Sequence, residues 1–456
     1  MSLMVSISGI RGIVGESLTP EVVVKYTAAF AEYSNFGTII IGRDGRVTGS
    51  SIAHIVASTL LQMGCNVIDL GVCPTPTISL AVERLGTAGG IAITASHNPI
   101  IWNGLKFIAS SGMFLNAEEN KAFWSIADRG NFNYKTWNKQ GKLDTKPEFI
   151  NEHIHAILSL PYIDKKKIAS KKFTVVVDCV NASGGVIVPR LLRELGCNVI
   201  ELHCDVSGIF AHTPEPLPEN LTELSQAVVT EKADLGIAID PDSDRLVLIT
   251  EKGTPFVEEY TIVSATKFVL QAEQRLGRNN HSVVINLSTT RAVEDVALEF
   301  GATVYRTPVG EINVATKMKQ HGSVIGGEGS GGVILPQVHL SRDAIVGVGL
   351  FLQFLTEFGG TASELKASLP QYEIVKDTIA LGSLQPDAIL HQVNKKYSTT
   401  AKTNTDDGLK IDFASSWVHL RKSNTEPIIR IIAEAKTKAE AAKLVEQFKK
   451  EIVDNS

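Results

Sequence analysis

The hexapeptide Thr94-Ala-Ser-His-Asn-Pro99 follows the apolar run Gly90-Ile-Ala-Ile93 and sets Ser96 among small residues, with His97 beside it and Asn98-Pro99 forcing a turn. A serine so placed presents its hydroxyl outward at a strand end, where it either carries a transferable group or merely caps the turn. No Gly-x-Ser-x-Gly elbow surrounds it, which argues against a hydrolase nucleophile of that type. A little further on, Asn103-Gly-Leu-Lys106 returns a lysine toward the same loop. The segment Asp240-Pro-Asp-Ser-Asp-Arg245 follows a second apolar run, Leu235-Gly-Ile-Ala-Ile239. Its alternate carboxylates converge readily on one hard cation, and Arg245 offers a counter-charge or a phosphate fork. An EF-hand is the nearest rival, since Asp240, Asp242, Asp244 and Glu251 occupy its first, third, fifth and twelfth places. It fails at the sixth place, which holds Arg245 instead of glycine, and in its β-branched flanks. A solvated acidic turn is the plainer alternative. Three carboxylates with few other ligands favour Mg²⁺, because they leave positions for water or phosphate oxygens.

Two more segments complete the chemical inventory. Gly326-Gly-Glu-Gly-Ser-Gly-Gly332 lacks the Gly-Lys-Ser/Thr ending of a nucleotide loop. Its glycines let backbone approach a polar ligand, while Glu328 accepts hydrogen bonds from hydroxyl groups as a sugar site requires; a flexible loop reads equally well. Arg421-Lys-Ser-Asn-Thr-Glu-Pro427, with Arg430, gathers cations, hydroxyls and an amide in one turn. That composition makes either a phosphate cradle or an Asx-type turn with basic flanks.

An internal repeat supplies the elements that position these loops. Met63-Gly-Cys-Asn-Val-Ile-Asp-Leu70 recurs as Leu195-Gly-Cys-Asn-Val-Ile-Glu-Leu202, and a weaker copy is Phe300-Gly-Ala-Thr-Val-Tyr305. Before each copy lie a β-branched run, a polar or glycine loop and a segment of helical period. Three strand-helix-strand units follow, each expected to have a parallel α/β core, with a left-handed glycine closing each helix. From about Leu409 the pattern changes to alternation, and Thr437 to Val453 carries an amphipathic stripe, predicting a smaller α+β domain. The expected domains are 1–155, 156–256, 257–370 and 371–456.

Composition bounds the function. The 456 residues are 44% apolar and 20% charged, which excludes a disordered or fibrous chain and suits three or four domains. A net charge of −5 without a charged tail predicts no nucleic-acid partner and no anionic membrane surface as partner. Five scattered cysteines without Cys-x-x-Cys spacing indicate neither a disulfide framework nor a zinc site. With no signal-like N-terminus and no apolar run of about 18 residues, a soluble cytoplasmic protein is expected.

In this order the motifs resemble the α-D-phosphohexomutase family nearly end to end: Ser8-Gly-Ile-Arg-Gly12, Gly42-Arg-Asp-Gly-Arg46, Thr94 to Pro99, Asp240 to Arg245, Arg306-Thr-Pro-Val-Gly310, Gly327 to Gly332 and Arg421 to Pro427. The resemblance implies three similar mixed-sheet α/β domains and a smaller fourth α+β domain around a central cleft. It further implies Ser96 as phosphoserine, with Mg²⁺ held by Ser96, Asp240, Asp242 and Asp244. Arg11, His97 and Lys106 would manage protons and charge, Lys106 being the better general base. Glu328 and Ser330 would read sugar hydroxyls; Arg421, Ser423, Asn424, Thr425 and Arg430 would hold the nonreacting phosphate, and Arg245 and Arg306 would also meet substrate. A phosphosugar partner and a hexose 1,6-bisphosphate intermediate follow, most simply for glucosamine phosphate, with glucose or mannose phosphate as the alternative. A phosphatase would share the cation and serine without needing the second phosphate cradle, and a silent regulator would not need Ser96. Two departures stand out: Pro241 where many members have glycine, and Gly332 where many have histidine.

Overall fold

The computed structural model describes residues 3–279, 281–380, 385–422 and 428–454. Three sheets share one plan. In the first, the parallel strands Ile39–Arg43, Val67–Val72 and Gly89–Ile93 are joined by antiparallel Trp102–Ala109, and the sheet is extended by Met4–Ser6, Gly9–Ile13 and Leu143–Thr145. In the second, parallel Thr174–Asp178, Asn198–Leu202 and Leu235–Ile239 are joined by antiparallel Leu246–Thr250. In the third, parallel Ser282–Asn286, Thr303–Thr307 and Ile325–Glu328 are joined by antiparallel Gly332–Ile334. The cores are therefore mixed, as the family resemblance implies, and not parallel throughout as the strand-helix-strand pattern alone suggests. The physical reason is connection length: a parallel return needs a dozen or more residues, and the chain between the last two strands of each plan is shorter.

That short connection is the functional position in all three sheets. It carries the Ser96 loop in the first, the aspartate loop in the second and the glycine loop in the third. The repeated segments are the helix end and the strand that follows it. Their glycines, Gly64, Gly196 and Gly301, have φ of +92°, +80° and +64°, a conformation that side chains resist.

The fourth sheet is antiparallel, in the order Glu373–Ala380, Ile428–Ala435, Trp417–Lys422, Leu409–Asp412, Lys402–Asn404. It is covered by the helices Pro386–Tyr397 and Lys438–Asp454, whose Val393, Val445, Phe448 and Ile452 meet Leu409, Ile411, Val418 and Leu420. One apolar cluster instead runs through the first three domains, including Ile78, Ile157, Val177, Leu191, Phe268 and Leu352. The helix Ile150–Leu158 passes through position 155 and buries His153, Ile154 and Ile157. Among the described residues no helix is long and apolar enough to cross a membrane.

Candidate active site

Ser96 is buried at 2% exposure with φ +50°, so its loop is held in a conformation that needs support. Arg46 supplies it. Nη2 donates to the carbonyls of Ser96 at 2.5 Å and Asn98 at 2.7 Å, and Nη1 to those of Pro99 at 2.8 Å and Trp102 at 2.9 Å. Its Nε pairs with Asp44 Oδ2 at 3.0 Å. Asp44 also accepts from Thr94 Oγ1 at 2.7 Å, and that hydroxyl accepts from the Ser96 amide at 2.8 Å. Arg11 Nη1 donates to Asn98 Oδ1 at 3.2 Å.

The Ser96 hydroxyl faces the next domain, with Oγ 3.3 Å from Asp240 Oδ2 and 3.3 Å from His97 Nδ1. Asp240, Asp242 and Asp244 are buried, and each offers an oxygen within 4.8 Å of the others. Asp240 Oδ1 accepts the amides of Asp244 and Arg245, both at 3.1 Å, which curls the loop around its first carboxylate. Burial, then Asp244 and Asp242, raise the Asp240 carboxyl well above its usual range. Burial acts the same way on Asp242 but is outweighed by Lys106, which holds that carboxyl low. Two buried oxygens, Asp242 Oδ1 and Asp244 Oδ1, have no hydrogen-bond partner. Orphaned carboxylate oxygens in a buried three-aspartate cluster fit a hard divalent cation.

Lys106 Nζ donates to Asp242 Oδ2 at 2.5 Å and Asp244 Oδ2 at 3.3 Å. Burial would lower its pKa, but the two aspartates prevail and hold it above the ordinary lysine value as an ammonium. The carboxylates that would hold a cation are thus the lysine's partners. His97 is pushed down to about 2, first by burial and then by Arg245 and Arg11, so its ring is neutral. Its Nε2 and Arg245 Nη1 both face Glu215 Oε1, at 3.8 and 3.5 Å.

The glycine loop places Glu328 beside this cluster. Oε1 accepts from Asn286 Nδ2 at 2.8 Å and the Gly310 amide at 2.9 Å, and Oε2 from Arg342 Nη1 at 2.8 Å. Ser330 Oγ lies 3.5 Å from the same Nη1. In the fourth domain Arg421 and Arg430 are cross-strand partners. Like charges opposite one another cost stability unless an anion sits between them. Arg421 Nε pairs with Asp407 Oδ2 at 2.8 Å, and Asp407 accepts the Val309 amide at 2.9 Å. Ser423, Asn424 and Thr425 lie outside the described residues.

Arg306 spends two of its three guanidinium nitrogens on protein groups, and its buried Nη2 has no hydrogen-bond partner. Its Nε pairs with Glu294 at 2.8 Å, and Nη1 donates to the carbonyls of Asn286 at 2.9 Å and Thr289 at 2.8 Å. It shapes the loop behind Glu328. Sequence reasoning left out of the site Asp44 and Arg46, Glu215, Arg342 and Asp407. The signal for the first pair is the Gly42–Arg46 turn after a strand, and Arg342 follows the glycine loop closely in sequence; Glu215 and Asp407 lie in segments without motif character.

Sequence models of phosphoglucomutase/phosphomannomutase alpha/beta/alpha domains I, II and III match residues 4–134, 151–253 and 258–372, and that of the C-terminal domain matches 383–451. The chain belongs to the phosphoglucomutase/phosphomannomutase family, the phosphohexomutases. It is 36% identical over 447 residues to a probable phosphoglucosamine mutase of Methanopyrus kandleri, covering 97% of this chain and 96% of that one. It is also 36% identical over 445 residues to a phosphoglucomutase/phosphomannomutase of Thermococcus kodakarensis, covering 96% of each. A phosphoglucomutase/phosphomannomutase family protein of Burkholderia thailandensis shares the fold, with a TM-score of 0.85 at 23% identity over 99% of this chain and 98% of that one.

Proposed function

We propose that this protein is a cytoplasmic, Mg²⁺-dependent mutase that interconverts hexose 6-phosphate and hexose 1-phosphate through phosphoserine at Ser96 and a hexose 1,6-bisphosphate, with glucosamine phosphate as principal substrate. The observation that carries it is the Ser96 hydroxyl at 3.3 Å from Asp240 across a domain boundary, facing a cluster with two orphaned oxygens. Ser96, Asp240, Asp242 and Asp244 would hold Mg²⁺, which supplies charge neutralisation on the transferring group. The chain's own residues do the positioning. Arg46 fixes the Ser96 loop, and neutral His97 steadies the serine hydroxyl. Lys106 would take the proton of the attacking sugar hydroxyl as the free amine, a form that a cation on Asp242 and Asp244 would favour by displacing the ammonium proton to solvent. Glu328 and Ser330 read hydroxyls. Arg421, Ser423, Asn424, Thr425 and Arg430 grip the phosphate that does not react, in either orientation of the sugar, with Arg11 and Arg245 lining the reacting side.

Full-length identity to a probable phosphoglucosamine mutase supports the amino sugar, and equal identity to a phosphoglucomutase/phosphomannomutase supports glucose or mannose phosphate as the second reading. Intact-mass measurement tests the carrier: a fraction about 80 Da heavier, mapped to Ser96, is expected, with its absence after incubation with hexose 1,6-bisphosphate counting against it. Rates on glucosamine, glucose and mannose phosphates test the substrate. Because reading rests on hydroxyls common to all three, discrimination below about a thousandfold is expected.

A further inference from the structure

Arg342 joins three carboxylates from two domains. Nη2 donates to Asp244 Oδ2 at 2.6 Å, Nη1 to Glu328 Oε2 at 2.8 Å and Nε to Glu311 Oε2 at 3.1 Å. Asp244 belongs to the aspartate cluster and Glu328 to the glycine loop, so one guanidinium touches both. With Oδ2 taken by Arg342 and, at 3.3 Å, by Lys106, the oxygen of Asp244 left over is Oδ1, which is buried without a hydrogen bond and has only Arg245 Nε at 3.8 Å. Arg342 thereby presents Oδ1 rather than Oδ2 to a cation. On its other side it fixes Glu328, whose Oε1 is already occupied by Asn286 and Gly310.

This placement depends on Gly332. A Cβ there would lie 2.3 Å from Arg342 Cδ and 3.0 Å from Cγ, so a side chain at 332 and Arg342 in this position exclude one another. The backbone beneath is firmly held. The Arg342 amide donates to Glu311 Oε1 at 2.8 Å. The neighbouring Asp343 caps the helix Ala344–Phe358 and accepts from His153 at 2.7 Å and His339 at 2.8 Å.

We propose that Arg342 is a positioning residue that couples the cation cluster to the sugar loop, so that a divalent cation on the aspartates strengthens phosphosugar binding through this guanidinium. A cation at Oδ1 draws charge from Oδ2 and weakens its claim on Nη2. The shared guanidinium then donates more strongly to Glu328 and turns toward Ser330, aligning the groups that read sugar hydroxyls. By linkage, the sugar tightens the cation equally.

The test is calorimetric titration of glucosamine 6-phosphate into dephosphorylated protein, with saturating Mg²⁺ and with chelator. Wild type is expected to show a Kd at least about tenfold lower with Mg²⁺. In Arg342→Lys that ratio falls below about threefold, since a single ammonium keeps the charge but cannot bridge three carboxylates. Gly332→Ala, which shifts the stem without changing charge, takes its place if Arg342→Lys does not fold. A Mg²⁺ ratio unchanged in the folded variant, or absent from wild type, overturns the coupling. The inference rests on the phosphosugar reading: wild type that binds neither glucosamine 6-phosphate nor glucose 6-phosphate sinks both, whereas binding whose Mg²⁺ ratio survives in the variant sinks the coupling alone.

Discussion

Arg46 Nη2 donates to the carbonyl of Ser96 at 2.5 Å, although the two residues lie on separate loops of the first domain. The same guanidinium reaches the carbonyls of Asn98, Pro99 and Trp102, and Phe210 of the second domain stacks on it at 4.8 Å. A planar fork with fixed donors suits four carbonyls; a lysine ammonium has fewer donors and a shape that cannot reach them together. Arg46→Lys is therefore expected to lower kcat at least about a hundredfold, on the order of 2.7 kcal/mol of transition-state stabilisation. Its phosphoserine content should fall with it. Initial rates and intact mass on the same sample check both, and a variant with near wild-type kcat would remove Arg46 from the positioning of Ser96.

His97 is held neutral, pushed down to about 2 by burial, Arg245 and Arg11. Its ring therefore does not gain a proton between pH 5 and 9, and its bond to Ser96 does not change over that range. Any acidic limb in the rate profile must come from another group. His97→Gln is expected to lower kcat roughly tenfold or more while leaving both limbs at their wild-type pH, as loss of a neutral hydrogen-bonding partner does. Rates measured from pH 5.5 to 9 decide it: disappearance of the acidic limb in the variant would mean that His97 titrates in the enzyme.

Glu259 is 6% exposed, and burial pushes its carboxyl up to about 8 despite the Lys376 ammonium at 3.8 Å. It packs against the glycine loop so closely that a Cβ on Gly329 would lie 1.9 Å from its Oε2. The folded state keeps this proton between pH 4.5 and 8 while the unfolded chain releases it. Stability from this group is thus present below the unfolded pKa and is lost as pH rises through the folded one, on the order of 1.4 kcal/mol per unit. Glu259→Gln should abolish that loss and be more stable than wild type at pH 8 by a few kcal/mol. Urea unfolding at pH 5.5 and 8 measures it; equal pH slopes for the two proteins would refute the assignment.

The sequence made the three-plus-one domain plan readable because each unit repeats a glycine-closed helix end before a β-branched strand. Gly64, Gly196 and Gly301 all adopt the positive φ that the pattern implied. The aspartate loop was equally legible, since ligands at alternate positions of one short turn need no long-range information. What escaped were residues whose role is set by contacts across domains. Arg342 looks like an ordinary polar residue after a glycine loop, and only the fold brings it to Asp244. Lys106 shows the same limit: its spacing places it near Ser96, but nothing in the sequence shows that its ammonium pairs with the aspartates of the next domain. The antiparallel fourth strand of each unit cannot come from periodicity, which carries no strand direction; the family resemblance implied the mixed sheet, and the short connection requires it.

Arg421 is tied to Glu328 of the glycine loop through Asp407 and the Val309-Gly310 backbone. Asp407 Oδ2 holds Arg421 Nε at 2.8 Å and the Val309 amide at 2.9 Å, and the next amide, Gly310, donates to Glu328. On the proposed grip, removing Arg421 would delete a charge-assisted contact to a phosphate oxygen worth about 1.5 to 3 kcal/mol, equivalent to roughly a 10- to 150-fold change in affinity. Arg421→Ala should therefore raise KM by at least about tenfold, and kcat should fall as well because the bisphosphate intermediate is released before it can turn over. Asp407→Asn keeps the arginine but loosens its aim, so a smaller KM increase of about threefold is expected with kcat less affected. Steady-state kinetics together with the release of free hexose bisphosphate distinguish these outcomes. A phosphatase has no use for a grip on the distant phosphate, so undiminished turnover in Arg421→Ala would favour hydrolysis over isomerisation.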